Sequence, residues 1–191
     1  MQDSAITPRT QTQERPLALQ IALEIGLAAA FCAAMVITAK IRIPLPFTPV
    51  PITLQTLAVL LAGAFLGPRV GLIATVGYLL LSLLGLPVLT VPSFIGPTGG
   101  YVLGFVLAAV MMGYFARRGT LTALALGAGL ASLTILVCGS LWLSAYTAQD
   151  LRHAFLLGMA PFLAGDALKS AAAVMLVRLG RRQFASWARI L

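Results

Sequence analysis

Apolar residues in this chain fall into six long runs, separated by short segments that are polar or rich in glycine and proline. The runs cover residues 17–39, 52–66, 70–86, 101–116, 121–146 and 156–179. A helix of about 20 apolar residues crosses the hydrocarbon layer of a membrane, and it satisfies its backbone polar groups internally. The pattern therefore predicts an all-α integral membrane protein, with a single domain of six transmembrane helices over residues 17–191.

Composition supports a membrane protein and excludes several other classes. Only 9% of the 191 residues are charged, whereas soluble domains carry about 25%. The formal net charge of +8 does not indicate a nucleic-acid partner, because the basic residues lie at the ends of apolar runs without interleaved aromatic residues. Cys32 and Cys138 lie inside apolar runs without metal-ligand spacing, so we expect them to be unpaired core residues.

The distribution of basic residues predicts the orientation in the membrane. Nine lysine and arginine residues lie in the N-terminal tail, in the second and fourth loops, and at the C-terminal end of the sixth run and beyond it, against three in the first, third and fifth loops. Since such an excess marks the cytoplasmic side, both termini are predicted to be cytoplasmic. The polar residues 1–16 are then a disordered cytoplasmic tail and not a signal peptide, because the apolar run that follows is too long.

Two of the outward-facing loops are apolar and rich in proline and glycine. They read KIRIPLPFTPVP (40–51) and PVLTVPSFIGPTGG (87–100). Irregular backbone at membrane depth is tolerated where it lines a cavity. We therefore expect irregular outer loops that fold over the helix ends. The GPTGG stretch, which contains Thr98, Gly99 and Gly100, is predicted either to form a lid that approaches a small molecule closely or to be a tight turn.

Asp166 and Lys169 are ionisable residues inside the sixth run. Their i, i+3 spacing puts both side chains on one face of a helix. Ionisable residues within a membrane are expensive and normally face the bundle interior or an aqueous cavity. The pair is either a structural ion pair or part of a binding wall. In the wall, Asp166 would accept hydrogen bonds from ligand N–H groups, and Lys169 would pair with a ligand carboxylate or keep Asp166 ionised.

Further polar candidates lie at the outer ends of two other helices. Gln55 and Thr53 precede or begin the second helix, where they either cap it or hydrogen-bond a polar ligand. Tyr101 follows GPTGG directly. It is either an interfacial tyrosine or a residue that stacks on a ligand.

The first helix carries a stripe of small residues. Its members are Ala22, Gly26, Ala30 and Ala34 at intervals of four, widened by Ala29 and Ala33. Small residues at this spacing let another helix approach closely. That helix belongs either to the same chain or to a different subunit.

The chain lacks the motifs of the common enzyme classes. Its single histidine excludes an HExxH zinc site, and it contains neither a G-x-S-x-G elbow nor a GxxxxGK[ST] phosphate loop. We therefore expect no enzymatic activity, no cofactor and no metal site.

Three runs together carry a resemblance to a known family. They are PFTPVPITLQTLAVLLAGAFLGPRVG (46–71), IGPTGGYVLGF (95–105) and GDALKSAAA (165–173). In this order they resemble the BioY family, the biotin-specific membrane subunits (S components) of energy-coupling factor (ECF) transporters. The resemblance covers nearly the whole chain after the tail.

The resemblance implies a specific ligand, site and set of partners. It implies six helices, a high-affinity biotin site near the outer face covered by the first and third loops, and roles for Asp166 and Lys169 in that site. Biotin has two ureido N–H groups and a carboxylate, which suit one acceptor and one cation. The resemblance also implies docking on a transmembrane T subunit through small residues of the first helix, with two ATPases as further partners.

The residues and the resemblance together favour biotin uptake as the function. They predict a multi-pass protein of the bacterial cytoplasmic membrane, surrounded by membrane lipid. Two alternatives remain open at this level. One is an S component for another vitamin, and the other is a self-sufficient secondary carrier for a small carboxylate. The sequence also leaves open whether the chain forms a homo-oligomer.

Overall fold

The computed structural model describes residues 16–84 and 96–184, with side chains as far as residue 180. Its helices are α1 (Leu17–Lys40), α2 (Gln55–Leu83), α3 (Gly99–Arg117), α4 (Leu121–Thr147), α5 (Leu151–Gly158) and α6 (Leu163–Phe184), with a 3-10 turn at Ala160–Phe162. Five helical segments of the described part are long and apolar enough to cross a membrane. The predicted class, a helical membrane protein, is confirmed.

Helix α2 contains the second and third predicted spans, and the chain reverses direction between them at Gly67. This glycine has φ 77° and ψ 178°, a conformation that it adopts without the penalty of a Cβ atom. Pro68 then starts the second arm, where its missing N–H costs nothing. Because of the reversal, Gln55 Nε2 lies 2.7 Å from the hydroxyl of Tyr78. A continuous helix would hold these residues about 35 Å apart.

The first predicted outer loop is a β-hairpin, which corrects the prediction of an irregular loop. Strands β1 (Arg42–Leu45) and β2 (Thr48–Thr53) pair antiparallel, with Arg42 opposite Thr53 and an irregularity between Ile43 and Leu45. The prolines in both strands weaken the sequence pattern that would predict strands. Because proline has no N–H to donate, they also limit the sheet to its two strands. The second predicted span therefore begins at Gln55 and not at residue 52.

The sixth predicted span is interrupted near its N-terminal end. Helix α5 stops at Gly158, and Pro161 lies in the 3-10 turn that leads into α6. Proline removes a backbone donor and disfavours a helical conformation for the residue before it. The membrane helix therefore starts at Leu163 and not at residue 156, and Asp166 lies in its first turn.

The core lies among the two arms of α2 and helices α3 and α4. Its largest fully buried side chains include Tyr78, Leu60, Met112 and Ile135. A Cβ atom at Gly113 of α3 would overlap the backbone at Pro68, so glycine is what lets α3 pack on the α2 reversal. Helix α1 packs on α2 and contributes Cys32 and Met35 to the core.

One end of the bundle is basic; we call it the basic end and define it by Arg69, Arg117, Arg118 and Arg178. Arg69 follows the α2 reversal and pairs with Glu24 of α1, with 3.8 Å between Nη2 and Oε2. The predicted tail, apart from Pro16, falls outside the described residues, as does segment 85–95 of the third predicted span and third loop.

Candidate functional site

Asp166 and Lys169 form an ion pair on the first two turns of α6. Both side chains are buried, with 4% and 9% of the residue surface exposed. The ammonium group contacts Asp166 Oδ1 and also donates a hydrogen bond to the backbone carbonyl oxygen of Thr53 at 3.0 Å. Lys169 therefore ties the end of the β-hairpin to α6.

Ser132 of α4 supports the same carboxylate from the other side. Its Oγ donates a hydrogen bond to Asp166 Oδ2 at 3.2 Å. Each carboxylate oxygen thus has one protein donor and keeps lone-pair capacity for a further one. The arrangement suits a hydrogen-bond acceptor for neutral N–H donors.

Gln55 lies at the start of α2, where the sequence predicts either a cap or a ligand contact. Its side-chain amide donates to the hydroxyl of Tyr78 at 2.7 Å. Its backbone N–H donates to Thr53 Oγ1 at 3.4 Å. The threonine therefore satisfies a backbone donor at the first residue of α2. Both residues also line the cavity described below.

Thr98 and Tyr101 enter the site at the start of α3. The hydroxyl of Tyr101 donates to the carbonyl oxygen of Gly158 at 2.5 Å, and its ring lies tilted against Phe162 with 6.4 Å between centroids. Thr98 Oγ1 is buried and has no hydrogen-bond partner in the described structure. It is therefore available to a ligand in the cavity that it lines.

These side chains surround one cavity of about 50 Å³. Its polar wall consists of Thr53, Gln55, Thr56, Thr98, Tyr101, Asp166 and Lys169. Its apolar wall includes Val102, Phe105, Ile135, Leu136 and Phe162. An ion pair that faces apolar and aromatic surface is the combination expected for a small ligand with a polar head and a hydrocarbon body.

Two predicted site residues do not line the cavity. Gly99 and Gly100 are buried in the first turn of α3, and a Cβ atom at Gly100 would overlap the side chain of Trp142. Trp142 Nε1 in turn donates to the carbonyl oxygen of Gly96 at 2.9 Å. The structure thus places Gly100 at a close contact between α3 and α4, and Trp142 fixes the start of the GPTGG stretch.

The small-residue stripe of α1 faces away from the bundle. Ala22, Gly26, Ala29, Ala30 and Ala33 are exposed and Ala34 is half-buried. The opposite face, with Ala28, Cys32, Met35 and Ala39, is the buried one. Within the described residues, the stripe does not pack on a helix of the same chain.

Residues 9–186 match the pattern of the BioY family. This chain belongs to the BioY family. It is 36% identical to the probable biotin transporter BioY of Pyrococcus horikoshii, over 81% of this chain and 94% of that protein. It is also 36% identical to the biotin transporter BioY of Thermotoga maritima, over 76% of this chain and 88% of that protein.

The BioY fold is shared with a solved structure. A crystal structure of the S-component for biotin from an ECF-type ABC transporter matches this chain with a TM-score of 0.77 and 29% identity. The match covers 88% of this chain and 95% of that one. The transporter relatives and the apolar helices together show that this BioY chain is a membrane protein.

Several residues in and around this cavity were not singled out by the sequence. Ser132 and Tyr78 are polar residues in apolar helices, and their contacts come from tertiary packing. Phe105 and Phe162 are common core residue types. Trp142 stands in the apolar fifth run, where a tryptophan is unremarkable without knowledge of its neighbours.

Proposed function

We propose that this chain binds biotin with high affinity and serves as the substrate-capture subunit of an ECF-type transporter for biotin uptake. The relatives and the structural neighbour support the ligand and the transporter class. The observation that carries the proposal is the buried Asp166–Lys169 pair, which lies in the wall of an otherwise mostly apolar cavity.

The chemistry of biotin fits the donors and acceptors of this cavity. Asp166 accepts hydrogen bonds from the ureido N–H groups. An ammonium group has three donors, and Lys169 uses one on Asp166 and one on the Thr53 carbonyl oxygen. The third is free for the carboxylate of biotin. Phe105 and Phe162 provide apolar surface for the ring and the aliphatic chain.

The cavity must widen before it can hold the ligand. Its volume of about 50 Å³ is below the roughly 300–1,000 Å³ of small-molecule sites. The β-hairpin forms part of the wall through Val50, Pro51 and Thr53, and Lys169 links it to α6. We infer that the hairpin moves outward to admit biotin and closes over it afterwards.

The membrane arrangement and the partners belong to the same proposal. The two arms of α2, together with α1, α3, α4 and α6, make six crossings of the bacterial cytoplasmic membrane with both termini cytoplasmic. The exposed stripe of α1 docks on a T subunit, and two ATPase subunits supply the energy. The chain itself is a transport subunit without a reaction of its own.

Ligand titration of the purified chain tests this function. A ligand that binds the folded state stabilises it in proportion to the logarithm of its concentration over Kd. We expect biotin to raise the melting temperature progressively as its concentration increases above Kd, and thiamine and riboflavin to leave it unchanged. A response to another vitamin alone would assign a different substrate. Uptake that follows an ion gradient in cells lacking T and ATPase subunits would instead indicate a secondary carrier.

A further inference from the structure

A groove of about 1,000 Å³ runs along the outside of the bundle between α4 and α6. It extends from Leu163 to Leu179 on α6, a distance of about 24 Å at the helical rise of 1.5 Å per residue. The groove is therefore longer than one leaflet of the hydrocarbon core, which is about 15 Å.

The shape and the lining of the groove suit a hydrocarbon chain. Small residues, Ala125, Gly129 and Ala171, leave room between the two helices. Larger apolar side chains such as Leu133 and Met175 form its sides, and both are exposed at the bundle surface. A surface of this kind inside a membrane is solvated by acyl chains.

The polar groups within the groove are already satisfied by the protein. Ser132 donates to Asp166, which is paired with Lys169. Ser170 Oγ donates to the carbonyl oxygen of Ala128 at 3.4 Å. Since these groups already have hydrogen-bond partners within the protein, the groove favours an apolar occupant over a polar solute.

Arg178 lines the groove at the basic end of the bundle. Its side chain is exposed, and no carboxylate of the described residues pairs with it. Arginine binds phosphate oxygens with parallel hydrogen bonds. The groove thus combines an apolar channel with a cation at the membrane surface.

We propose that this groove binds an anionic phospholipid, with one acyl chain along α4 and α6 and the phosphate at Arg178. An arginine near an anionic membrane surface contributes about fivefold to such binding. The inference does not depend on the ligand of the inner cavity, and its test contains no biotin.

The test compares two phospholipids with identical acyl chains on delipidated full-length protein in detergent. Phosphatidylglycerol is expected to bind about fivefold more tightly than phosphatidylcholine, as measured by native mass spectrometry and by melting temperature. Arg178→Gln should remove this preference. The control Arg152→Gln, which removes an exposed arginine from α5, should keep it.

Filling the groove tests the site of the acyl chain. Ala171→Phe should weaken binding of both lipids. Gly129→Leu should do the same from the opposite wall, where a Cβ atom meets open space, so the test does not rest on one variant that folds poorly. Equal binding of the two lipids to the wild type, or an unchanged preference in Arg178→Gln, would overturn the proposal. So would a dimer that either groove-filling variant converts to monomers, because the groove would then be an interface between copies.

Discussion

Lys169 Nζ donates a hydrogen bond to the backbone carbonyl oxygen of Thr53 at 3.0 Å, across 116 residues of sequence. This bond joins the membrane helix that carries the ion pair to the hairpin that covers it. Because the acceptor is a backbone atom, a substitution at Thr53 leaves it in place. A test of whether α6 holds the hairpin in place therefore requires a substitution of Lys169.

Replacing the lysine should loosen the hairpin. Lys169→Met keeps an unbranched apolar side chain but removes the donor to Thr53. A hydrogen bond from a charged group contributes about 1.5–3 kcal/mol, so local opening should become about 10–100 times more frequent. Amide hydrogen exchange in residues 48–53 measures this opening. Arg152→Gln serves as the control, and equal exchange in both variants would show that the lysine does not hold the hairpin.

Ser132 should matter for biotin binding through Asp166. Ser132→Ala removes one donor to the carboxylate and leaves it less well oriented, so biotin affinity should fall by up to about tenfold. Isothermal titration calorimetry measures the change. Ser144→Ala is the matched control on the same helix, because that hydroxyl donates to the Gln149 carbonyl oxygen at an exposed site. Equal affinities for the two variants would remove Ser132 from the site.

The exposed face of α1 should be needed for assembly and not for ligand binding. Ala30→Trp adds bulk in the middle of the small-residue stripe, where a partner helix would approach closely. Biotin binding should stay at the wild-type level while co-purification with the T subunit is lost. Leu126→Trp adds the same side chain at an exposed position of α4 and should assemble normally. Normal assembly of the Ala30 variant would place the docking surface elsewhere.

The charge distribution predicts which end of the bundle faces outward. In a background without Cys32 and Cys138, Phe47→Cys at the exposed hairpin tip should react with an impermeant thiol reagent in intact cells. Arg118→Cys at the basic end should react only after the membrane is made permeable. The reverse pattern would invert the orientation.

The helices were predictable because the membrane imposes a length and a composition on them. The turn between the second and third spans was also readable, since Gly67 and Pro68 interrupt two apolar runs. The hairpin was not predictable, because its prolines argue against strands, and the contacts of β2 with α1 and α5 are visible only in the structure. The late start of α6 follows from Pro161 in the 3-10 turn, which lies inside a run that is otherwise continuous in apolar composition.

The site was predictable where electrostatics singled out a residue. Asp166 and Lys169 are conspicuous because charges inside a membrane are costly without partners. Ser132 and Trp142 each donate one hydrogen bond to a distant part of the chain. No local sequence pattern predicts such contacts. Gly100 stands out in the sequence as part of the GPTGG stretch. Only the structure shows why a glycine is needed there, since a Cβ atom would overlap the side chain of Trp142.

The most direct test of the account is calorimetric titration of biotin into the wild type and into Asp166→Asn. The variant keeps the shape of the side chain but loses the carboxylate that pairs with Lys169 and that, in the proposed function, accepts hydrogen bonds from the ureido N–H groups. Asp150→Asn, at an exposed carboxylate that accepts a hydrogen bond from the backbone N–H of His153, is the matched control.

We predict one biotin per chain for the wild type and the control, and an affinity lower by about 10–100-fold or more for Asp166→Asn. Gel filtration and the melting temperature of the unliganded variant establish that it is folded. Wild-type affinity in a folded Asp166→Asn protein would contradict the account, because the ion pair would then be structural and the ligand would bind elsewhere.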